Sequence, residues 1–235
     1  MAFVTRFNPT ANGPLHAGHI YMAMINEAIA HDSGGRFLVR FDDSNPFHLK
    51  PIGRERMDAI VAGQRYDLEW LGIPVDEWSK QSESVEQINT TINQSLGVEK
   101  LPPEEIAESQ LCDLIGREYM QLYPYAPRLT AEKVIWDSQA GVNLLVRGID
   151  LITEFSLYQH FCYRFSVPVP PRHIYLPRLM GSQGDIRKSL GGQSIADLRA
   201  AGYSAKQVRD KIEKACLRYP PDGWTLRNLN PEPTL

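Results

Sequence analysis

The sequence predicts an α/β fold built on a parallel sheet, and a pattern near the amino terminus supports this. Two short apolar runs, AFVTRF (residues 2–7) and RFLVRFDD (residues 36–43), are typical of buried strands. Between them, apolar residues recur at helical spacing from Ala17 to His31, until SGG ends the pattern. A strand, a helix and a strand in this order form a βαβ unit, whose two strands are parallel.

The middle of the chain predicts more helices and a pair of strands. Residues 53–71 are amphipathic and predict a long helix that GIP ends, and the polar residues 82–123 also favour helix, with Pro102 opening a second helical stretch. Strands are expected at KVIWD (residues 133–137) and VNLLVRG (residues 142–148). Because SQAG separates these two runs, they are expected to form a hairpin.

The last third of the chain continues the α/β pattern and then becomes helical. A helix is expected over residues 151–165, followed by a strand in RHIYLPRLM (residues 172–180). A polar loop bounded by glycines follows at residues 181–192, and residues 194–217 predict two short helices. The proline-rich tail after Arg218 is expected to be irregular.

The composition limits the class of protein. With 235 residues and 43% hydrophobic content, the chain can form one large domain, or one domain with a small appendage. No window approaches the roughly 18 consecutive apolar residues of a membrane span, and no signal peptide is recognisable, so a cytoplasmic location is expected. The net charge of −3 gives no overall basic bias, so any RNA contact must come from a local patch.

The cysteines do not predict a metal site. Cys112, Cys162 and Cys216 are widely separated and lack the C-x-x-C spacing of zinc ligands. They are interpreted as reduced and mostly buried thiols. No zinc and no other resident metal is expected.

Two histidines stand where the first strand passes into the first helix. Ligands of parallel α/β sheets bind beyond the carboxyl ends of the strands, near the helix amino termini. His16 and His19 fall there, with Gly18 between them, so both could reach one anionic group such as a nucleotide phosphate. The alternative is that one histidine caps the helix and the other is simply exposed.

Charged side chains at other strand ends add candidates. Asp42 and Asp43 follow the second strand and could bind an amine or a metal, or only cap the next turn. Arg6 and Arg147 lie near the ends of strand-like runs and are suited to gripping carboxylates with their planar forks.

The polar loop contains two more cations. Arg187 and Lys188 lie between glycines, which would suit a mobile loop that closes on a polyphosphate. The alternative is an ordinary solvated loop.

In this order, the motifs resemble the catalytic core of class I glutamyl- and glutaminyl-tRNA synthetases. RFNPTANGPLHAGH resembles the family's arginine-led first signature, which ends in HIGH, and VRFDDSNP is similar to its RFDDTNP form. VIWDSQAGVNLLVRGIDLI aligns without gaps with VVDDxxxGVTHVIRGEDxL, and YLPRLMG aligns with LPLLLG. SIADLRAAGYS resembles the start of the domain that follows this core.

The resemblance implies a Rossmann-like parallel sheet of the class I aminoacyl-tRNA synthetase type that activates an amino acid with ATP and Mg²⁺. Its catalytic positions fall on His16, His19 and Lys188, and Arg187 next to Lys188 could supply the cation that the loop lacks at position 185. Its ATP-binding positions fall on Gly18, Asp150, Leu179 and Met180. Its positions for the amino acid fall on Arg6, Thr10, Asp42 and Arg147, with Asp42 suited to the α-ammonium group. Transfer of the activated amino acid to tRNA is the expected second step.

The same resemblance implies a division of the chain. Residues 1–81 and 127–192 are expected to form the two halves of the catalytic domain, and residues 82–126 a shortened helical insertion between them. Residues 193–235 are expected to form a carboxyl-terminal helical segment and tail. The insertion is much shorter than the family's acceptor-binding domain, and no anticodon-binding domain is recognisable.

Two substitutions depart from the family pattern. Asp185 replaces the first lysine of the KMSKS loop, and Leu129 replaces a tyrosine that contacts the amino acid's ammonium group. The pattern does not choose between glutamate and glutamine. One alternative is a truncated relative that ligates the activated amino acid to an acceptor other than tRNA, or that only binds nucleotide and a partner.

Overall fold

Parallel strands form the centre of the structure, as the βαβ pattern predicts. The structure is a computed structural model, and it describes residues 1–96, 126–152, 154–170, 172–176, 180–181, 184–185 and 193–217. The first parallel sheet consists of β1 (Val4–Phe7), β2 (Arg36–Phe41) and β3 (Glu77–Lys80), with β2 in the middle. A second parallel pair consists of β4 (Leu144–Gly148) and β5 (Arg172–Leu176).

The two sets of strands meet where β4 begins beside β1. The backbone N–H of Asn143 donates to the carbonyl of Val4 over 3.1 Å, and the N–H of Val4 donates to Oδ1 of Asn143 over 2.8 Å. The strands therefore follow one another across the structure as β3, β2, β1, β4 and β5. Because the chain order reverses between β1 and β4, the carboxyl ends of these two strands border the crevice where such sheets bind ligands.

Helices surround the strands. Their bounds are α1 (Ala17–Asp32), α2 (Pro46–Ile52), α3 (Arg54–Trp70), α4 (Gln81–Leu96), α5 (Ala126–Ala140), α6 (Glu154–Arg164), α7 (Ile195–Ala200) and α8 (Ala205–Leu217). A 3₁₀ turn at Ile149–Leu151 follows β4, and the two-residue strands β6 (Met180–Gly181) and β7 (Gly184–Asp185) pair antiparallel.

The hydrophobic core lies on both faces of the strands. Apolar side chains of α1, α3 and α8 pack with Phe37 and Val39 on one face. Apolar side chains of α4, α5 and α6 pack with Leu38 and Leu145 on the other face. Residues that alternate along β2 thus point to opposite faces, as expected for a strand buried on both sides.

Most of the predicted elements are confirmed, with small differences in their ends. The first helix runs to Asp32, and the positive φ angle of Gly34, 72°, allows the chain to turn into β2. The long helix predicted over residues 53–71 is α3, and the two carboxyl-terminal helices are α7 and α8. The polar segment predicted helical is α4 up to residue 96, whereas residues 97–125, including Pro102, lie outside the described residues.

The predicted hairpin of KVIWD and VNLLVRG was wrong. KVIWD lies inside helix α5, and VNLLVRG supplies β4, which pairs in parallel with β5. Val134, Ile135 and Trp136 of this segment are buried in the core together with apolar residues of α4 and α6, and such tertiary packing overrides the local preference for a strand.

Two elements had no counterpart in the predictions. Helix α2 is short and follows the end of β2 closely. Strand β3 has the polar sequence EWSK, because it is an edge strand that pairs only with β2 among the described strands.

Neither a membrane-spanning helix nor a metal-binding cluster is found in the described part of the chain. None of its helices is both long and apolar enough to span a membrane. It also contains no group of three or more His, Cys, Asp or Glu side chains placed to hold a metal ion.

Candidate active site

The amino terminus of α1 is closed by its two histidines. His16 is the N-cap residue, and its Nδ1 accepts a hydrogen bond from the backbone N–H of Gly18 over 3.2 Å. Nδ1 of His19 accepts in return from the N–H of His16 over 3.4 Å. The two rings stack with centroids 3.8 Å apart. Since each Nδ1 is an acceptor, the proton of each neutral ring is on Nε2. The capping role foreseen for one histidine is therefore shared by both.

Gly18 provides the space that this arrangement needs. A Cβ atom at this position would lie 3.1 Å from Cε1 of His16. Any larger residue would therefore require the His16 ring to shift slightly. This close approach is a structural reason for glycine here, while the predicted contact of Gly18 with adenine stays a prediction.

The loop between β1 and α1 runs beside the end of β2. The N–H of Asp42 donates to the carbonyl of Pro9 over 3.0 Å, and the N–H of Ala11 donates to the carbonyl of Asp42 over 3.1 Å. These bonds form an isolated parallel bridge between Thr10 and Asp42. Thr10 is thereby held next to Asp42, as its predicted role at the amino-acid site requires.

Helix α3 supports this loop through Gln64, which the sequence analysis did not single out. Nε2 of Gln64 donates to the carbonyl oxygens of Thr10 and Gly13, over 3.0 and 2.7 Å. Gln64 is almost fully buried. The available signal was its spacing from Val61 and Leu68, which places an amide within an otherwise apolar stripe.

A polar cluster occupies the face of the strands that α5 and α6 cover. Arg6 of β1 is paired in register with Leu38 of β2, so Arg40 and Asp42 are on the same face as Arg6. Arg147 reaches this region from β4. All four residues are buried, with 0–6% of the residue surface exposed. The predicted positions Arg6, Asp42 and Arg147 are thus at the carboxyl ends of three neighbouring strands.

Arg6 is held by a carboxylate of α5. Its Nε and Nη2 donate to the two carboxylate oxygens of Asp137 over 2.6 and 3.0 Å. The hydroxyl of Tyr158 donates to the same carboxylate over 2.8 Å. Burial disfavours the charged guanidinium, but the ion pair with Asp137 outweighs it, so the pKa of Arg6 is raised. The fork of Arg6 is therefore fixed and engaged within the chain.

Arg40 and Arg147 are also buried, and some of their nitrogens lack a hydrogen-bond partner among the described residues. The guanidinium of Arg40 stacks over Trp136 at 5.0 Å, and that of Arg147 stacks over Tyr158 at 4.7 Å. Within the described residues, none of the three side-chain nitrogens of Arg40 has a hydrogen-bond partner, and Nη2 of Arg147 also lacks one. Burial lowers the pKa of both arginines. Buried donors of this kind favour an anionic ligand.

The two neighbouring aspartates have different roles. Oδ2 of Asp42 lies 3.2 Å from Nζ of Lys133. Asp43 accepts hydrogen bonds from the backbone N–H and the hydroxyl of Ser82, over 2.8 and 2.6 Å, and from Arg54. Asp43 thus links the end of β2 to the start of α4, and these hydrogen bonds occupy both of its carboxylate oxygens. Asp42 remains the candidate for binding a ligand.

His173 on β5 lies near Arg147 and is uncharged at neutral pH. Burial and the charge of Arg147 lower its pKa to about 4. Its ring packs edge-on against Phe155, with centroids 4.6 Å apart, and against Tyr158. The ring is therefore neutral at pH 7 and acts as part of an aromatic wall.

The remaining predicted residues are placed only in part. Asp150 lies in the 3₁₀ turn directly after β4, and Met180 lies in β6, where its Cα is paired with that of Asp185. For Asp150, Met180 and Asp185 the structure describes only the backbone. Leu179, Arg187 and Lys188 lie outside the described residues. Leu129, at the position of the family's tyrosine, is on α5 and half-buried.

The amino-terminal part of the chain matches a protein family. Residues 2–99 match the family described as tRNA synthetases class I (E and Q), catalytic domain. Glutamate–tRNA ligase 1 of Cereibacter sphaeroides is 26% identical over 270 residues, an alignment covering 86% of this chain and 58% of that protein. Glutamate–tRNA ligase of Sulfurisphaera tokodaii is 45% identical over 84 residues, covering 36% of this chain and 14% of that protein.

Solved structures of synthetases share the fold. Glutamate-tRNA synthetase from Elizabethkingia anophelis superposes with a TM-score of 0.58 and 16% identity, over 86% of this chain and 54% of that one. Tyrosyl-tRNA synthetase from Archaeoglobus fulgidus, complexed with L-tyrosine, gives a TM-score of 0.56 and 15% identity, over 77% and 56%. The chain thus spans little more than half the length of these structures. Over most of its length the chain therefore shares the fold of solved aminoacyl-tRNA synthetases, and its residues 2–99 match the catalytic-domain model of the class I (E and Q) family.

Proposed function

We propose that the chain activates glutamate with ATP to form glutamyl adenylate and then transfers the glutamyl group to tRNA. The observation that carries this proposal is the convergence of Arg6, Asp42 and Arg147 at the carboxyl ends of three neighbouring strands. The names of its relatives, which are glutamate–tRNA ligases, support glutamate and tRNA as substrates. We propose the cytoplasm as the location of this reaction.

The chemistry requires little covalent participation by the protein. The α-carboxylate of glutamate attacks the α-phosphorus of ATP, the bond to the bridging oxygen breaks, and pyrophosphate leaves with Mg²⁺ that arrived with the nucleotide. In the second step, a ribose hydroxyl of tRNA attacks the carbonyl carbon and AMP leaves. Positioning and charge stabilisation are therefore the tasks of the side chains.

The start of α1 is suited to the phosphates. His16 and His19 would donate to phosphate oxygens from Nε2, and the helix terminus adds the positive end of its dipole. Arg187 and Lys188 would stabilise the departing pyrophosphate. Asp150 would bind the ribose, and Gly18 together with the backbone of Leu179 and Met180 would contact adenine.

The arginines favour glutamate over glutamine. Arg147 and Arg40 are buried with nitrogens that lack hydrogen-bond partners in the described residues, and an anionic carboxylate satisfies such donors better than a neutral amide. Arg147 would bind the side-chain carboxylate of glutamate, and Arg6 and Thr10 would line the same site. Asp42 would face the α-ammonium group.

ATP–pyrophosphate exchange with the full chain tests the activation step. We expect exchange that depends on an added amino acid, that glutamate supports best, and that falls at least about 100-fold in His19→Ala because charge stabilisation at the phosphates is lost. Lys206→Met, a change on the exposed surface of α8, serves as the control and keeps full exchange. Absence of exchange with both glutamate and glutamine would contradict the proposal.

A charging assay with total tRNA tests the acceptor. Robust formation of glutamyl-tRNA supports transfer to tRNA. Exchange without charging would leave activation in place and point to the alternative, an acceptor that is not tRNA.

A further inference from the structure

Helix α5 presents an ammonium group and a carboxylate to the proposed amino-acid site. Nζ of Lys133 lies 3.2 Å from Oδ2 of Asp42. Four residues later, Asp137 holds the fork of Arg6 through two hydrogen bonds of 2.6 and 3.0 Å. The spacing of one helical turn places both side chains on the face of α5 that meets the strands.

These contacts use two of the groups proposed to hold the substrate. Asp42 is the proposed partner of the substrate's α-ammonium group, and the ammonium of Lys133 already lies against it. Asp42 is 8% exposed and Lys133 is 23% exposed, so the pair is only weakly screened by solvent. A second ammonium could still reach Oδ1 of Asp42, which has no hydrogen-bond partner among the described residues, but it would share the one carboxylate charge with Lys133 and would be repelled by it.

The rest of the site is still suited to carboxylates. Arg40 and Arg147 keep buried nitrogens without hydrogen-bond partners among the residues that the structure describes. A substrate carboxylate therefore still contributes strongly to the binding affinity, whereas Lys133 reduces the contribution of an α-ammonium group.

We propose that Lys133 determines the substrate specificity of the site: by neutralising Asp42 it relaxes the requirement for an α-ammonium group. This inference rests on the proposed function, because it assigns Asp42 to the amino-acid site. The ligand class is a five-carbon dicarboxylate with or without an α-amino group, such as glutamate or glutarate.

Calorimetric titration of the full chain with glutamate and with glutarate, in the absence of ATP, tests the proposal. In the wild-type protein the two acids bind with similar affinity. In Lys133→Met, which removes the ammonium and keeps the length of the side chain, glutamate binds about tenfold more tightly than glutarate, because Asp42 then no longer shares its charge with Lys133.

Two control variants separate the effect of the Lys133 charge from a structural effect of the substitution. Lys133→Arg keeps a positive charge beside Asp42 and is expected to keep the wild-type ratio of affinities. Lys206→Met removes an exposed lysine of α8 that pairs only with Asp210 among the described residues, and it is also expected to keep this ratio. A merely structural effect of Lys133 would weaken both acids together and leave their ratio unchanged.

Three results would overturn the proposal: a wild-type preference for glutamate of more than about tenfold, an unchanged ratio in a folded Lys133→Met, or no binding of either acid. The wild-type comparison needs no variant, so it remains decisive if Lys133→Met does not fold. Similar affinities without pyrophosphate exchange would support this inference and contradict the proposed activation. Pyrophosphate exchange together with a strong wild-type preference for glutamate would support the proposed activation and contradict this inference.

Discussion

Arg40 is a charged residue at the centre of the buried polar face. It stacks on Trp136, and in the described part of the chain none of its side-chain nitrogens has a hydrogen-bond partner. The cation–π contact compensates only part of the lost hydration of the guanidinium.

We expect Arg40→Met to separate stability from ligand binding. Replacing buried charged side chains by well-packed apolar ones of similar volume is often neutral or stabilising. The free energy of unfolding of the ligand-free protein should therefore stay the same or rise, whereas the stabilisation by added glutamate should fall. Thermal unfolding with and without glutamate measures both. A loss of more than about 3 kcal/mol in the free protein would contradict the absence of a structural ion pair.

The pair of Arg6 and Asp137 is predicted to behave in the opposite way. Asp137→Asn removes the charge that compensates a buried guanidinium, and breaking such a pair costs about 3–5 kcal/mol of unfolding free energy. Urea denaturation measures this loss. Glu77→Gln, which breaks the exposed pair with Arg36, is the control and should change stability by less than about 1 kcal/mol. Equal effects of the two changes would show that the buried pair contributes no more than a surface one.

At the scale of elements, α5 explains why the site could be predicted only in part. Arg6, Asp42 and Arg147 were singled out because each lies at or near the end of a strand-like run, and the structure brings them close together at the carboxyl ends of three strands. Lys133 and Asp137 were missed because KVIWD is rich in β-branched and aromatic residues and was interpreted as a strand. Tertiary packing overrides such local preferences, and the spacing of four between Lys133 and Asp137 was the helical signal.

Helix α3 is expected to control the order of the loop between β1 and α1. Gln64→Leu removes two hydrogen bonds to the carbonyl groups of Thr10 and Gly13 and leaves these acceptors without that donor. The protein should lose about 1–3 kcal/mol of stability. Amide hydrogen exchange within residues 10–15 should become faster than in the wild-type protein, while exchange within α8 stays the same. Unchanged exchange in the loop would show that Gln64 does not hold it.

At the scale of the whole molecule, His31 connects the end of α1 to the entry of β3. Its ring nitrogens lie 2.9 Å from Glu27 and 2.8 Å from Asp76, and Asp76 also accepts from the N–H of Phe37. The hydrogen bond with Asp76 contributes most to raising the pKa of His31 above its ordinary value of 6.5. This contact joins elements that are far apart in the sequence.

The raised pKa predicts a pH dependence of stability. The protonated ring is favoured in the folded state, so its contribution is complete below pH 6.5 and is lost as the pH rises through the higher folded pKa. The free energy of unfolding of the wild-type protein should therefore fall over this range by more than that of His31→Gln. Denaturation at pH values from 6 to 9 measures the difference. Parallel curves for the two proteins would contradict the assigned role of His31.

The overall architecture could be predicted where its signals are local. The first βαβ unit follows from apolar runs, helical spacing and glycine turns that lie close together in the sequence. The placement of β4 beside β1, and of the edge strand β3 beside β2, depends on contacts between residues far apart in the chain. Such contacts leave no periodic pattern in the sequence, which is why β3 was missed and β4 was assigned to a hairpin.

The most direct test of the central claim is ATP–pyrophosphate exchange measured side by side with glutamate and glutamine in the wild-type protein and in Arg147→Met. The account predicts exchange in the wild-type protein that glutamate supports at least about tenfold better than glutamine, because buried arginine donors favour a carboxylate. It also predicts that Arg147→Met loses this preference. Exchange supported equally by both amino acids in the wild-type protein, or by neither, would contradict the claim that this core activates glutamate.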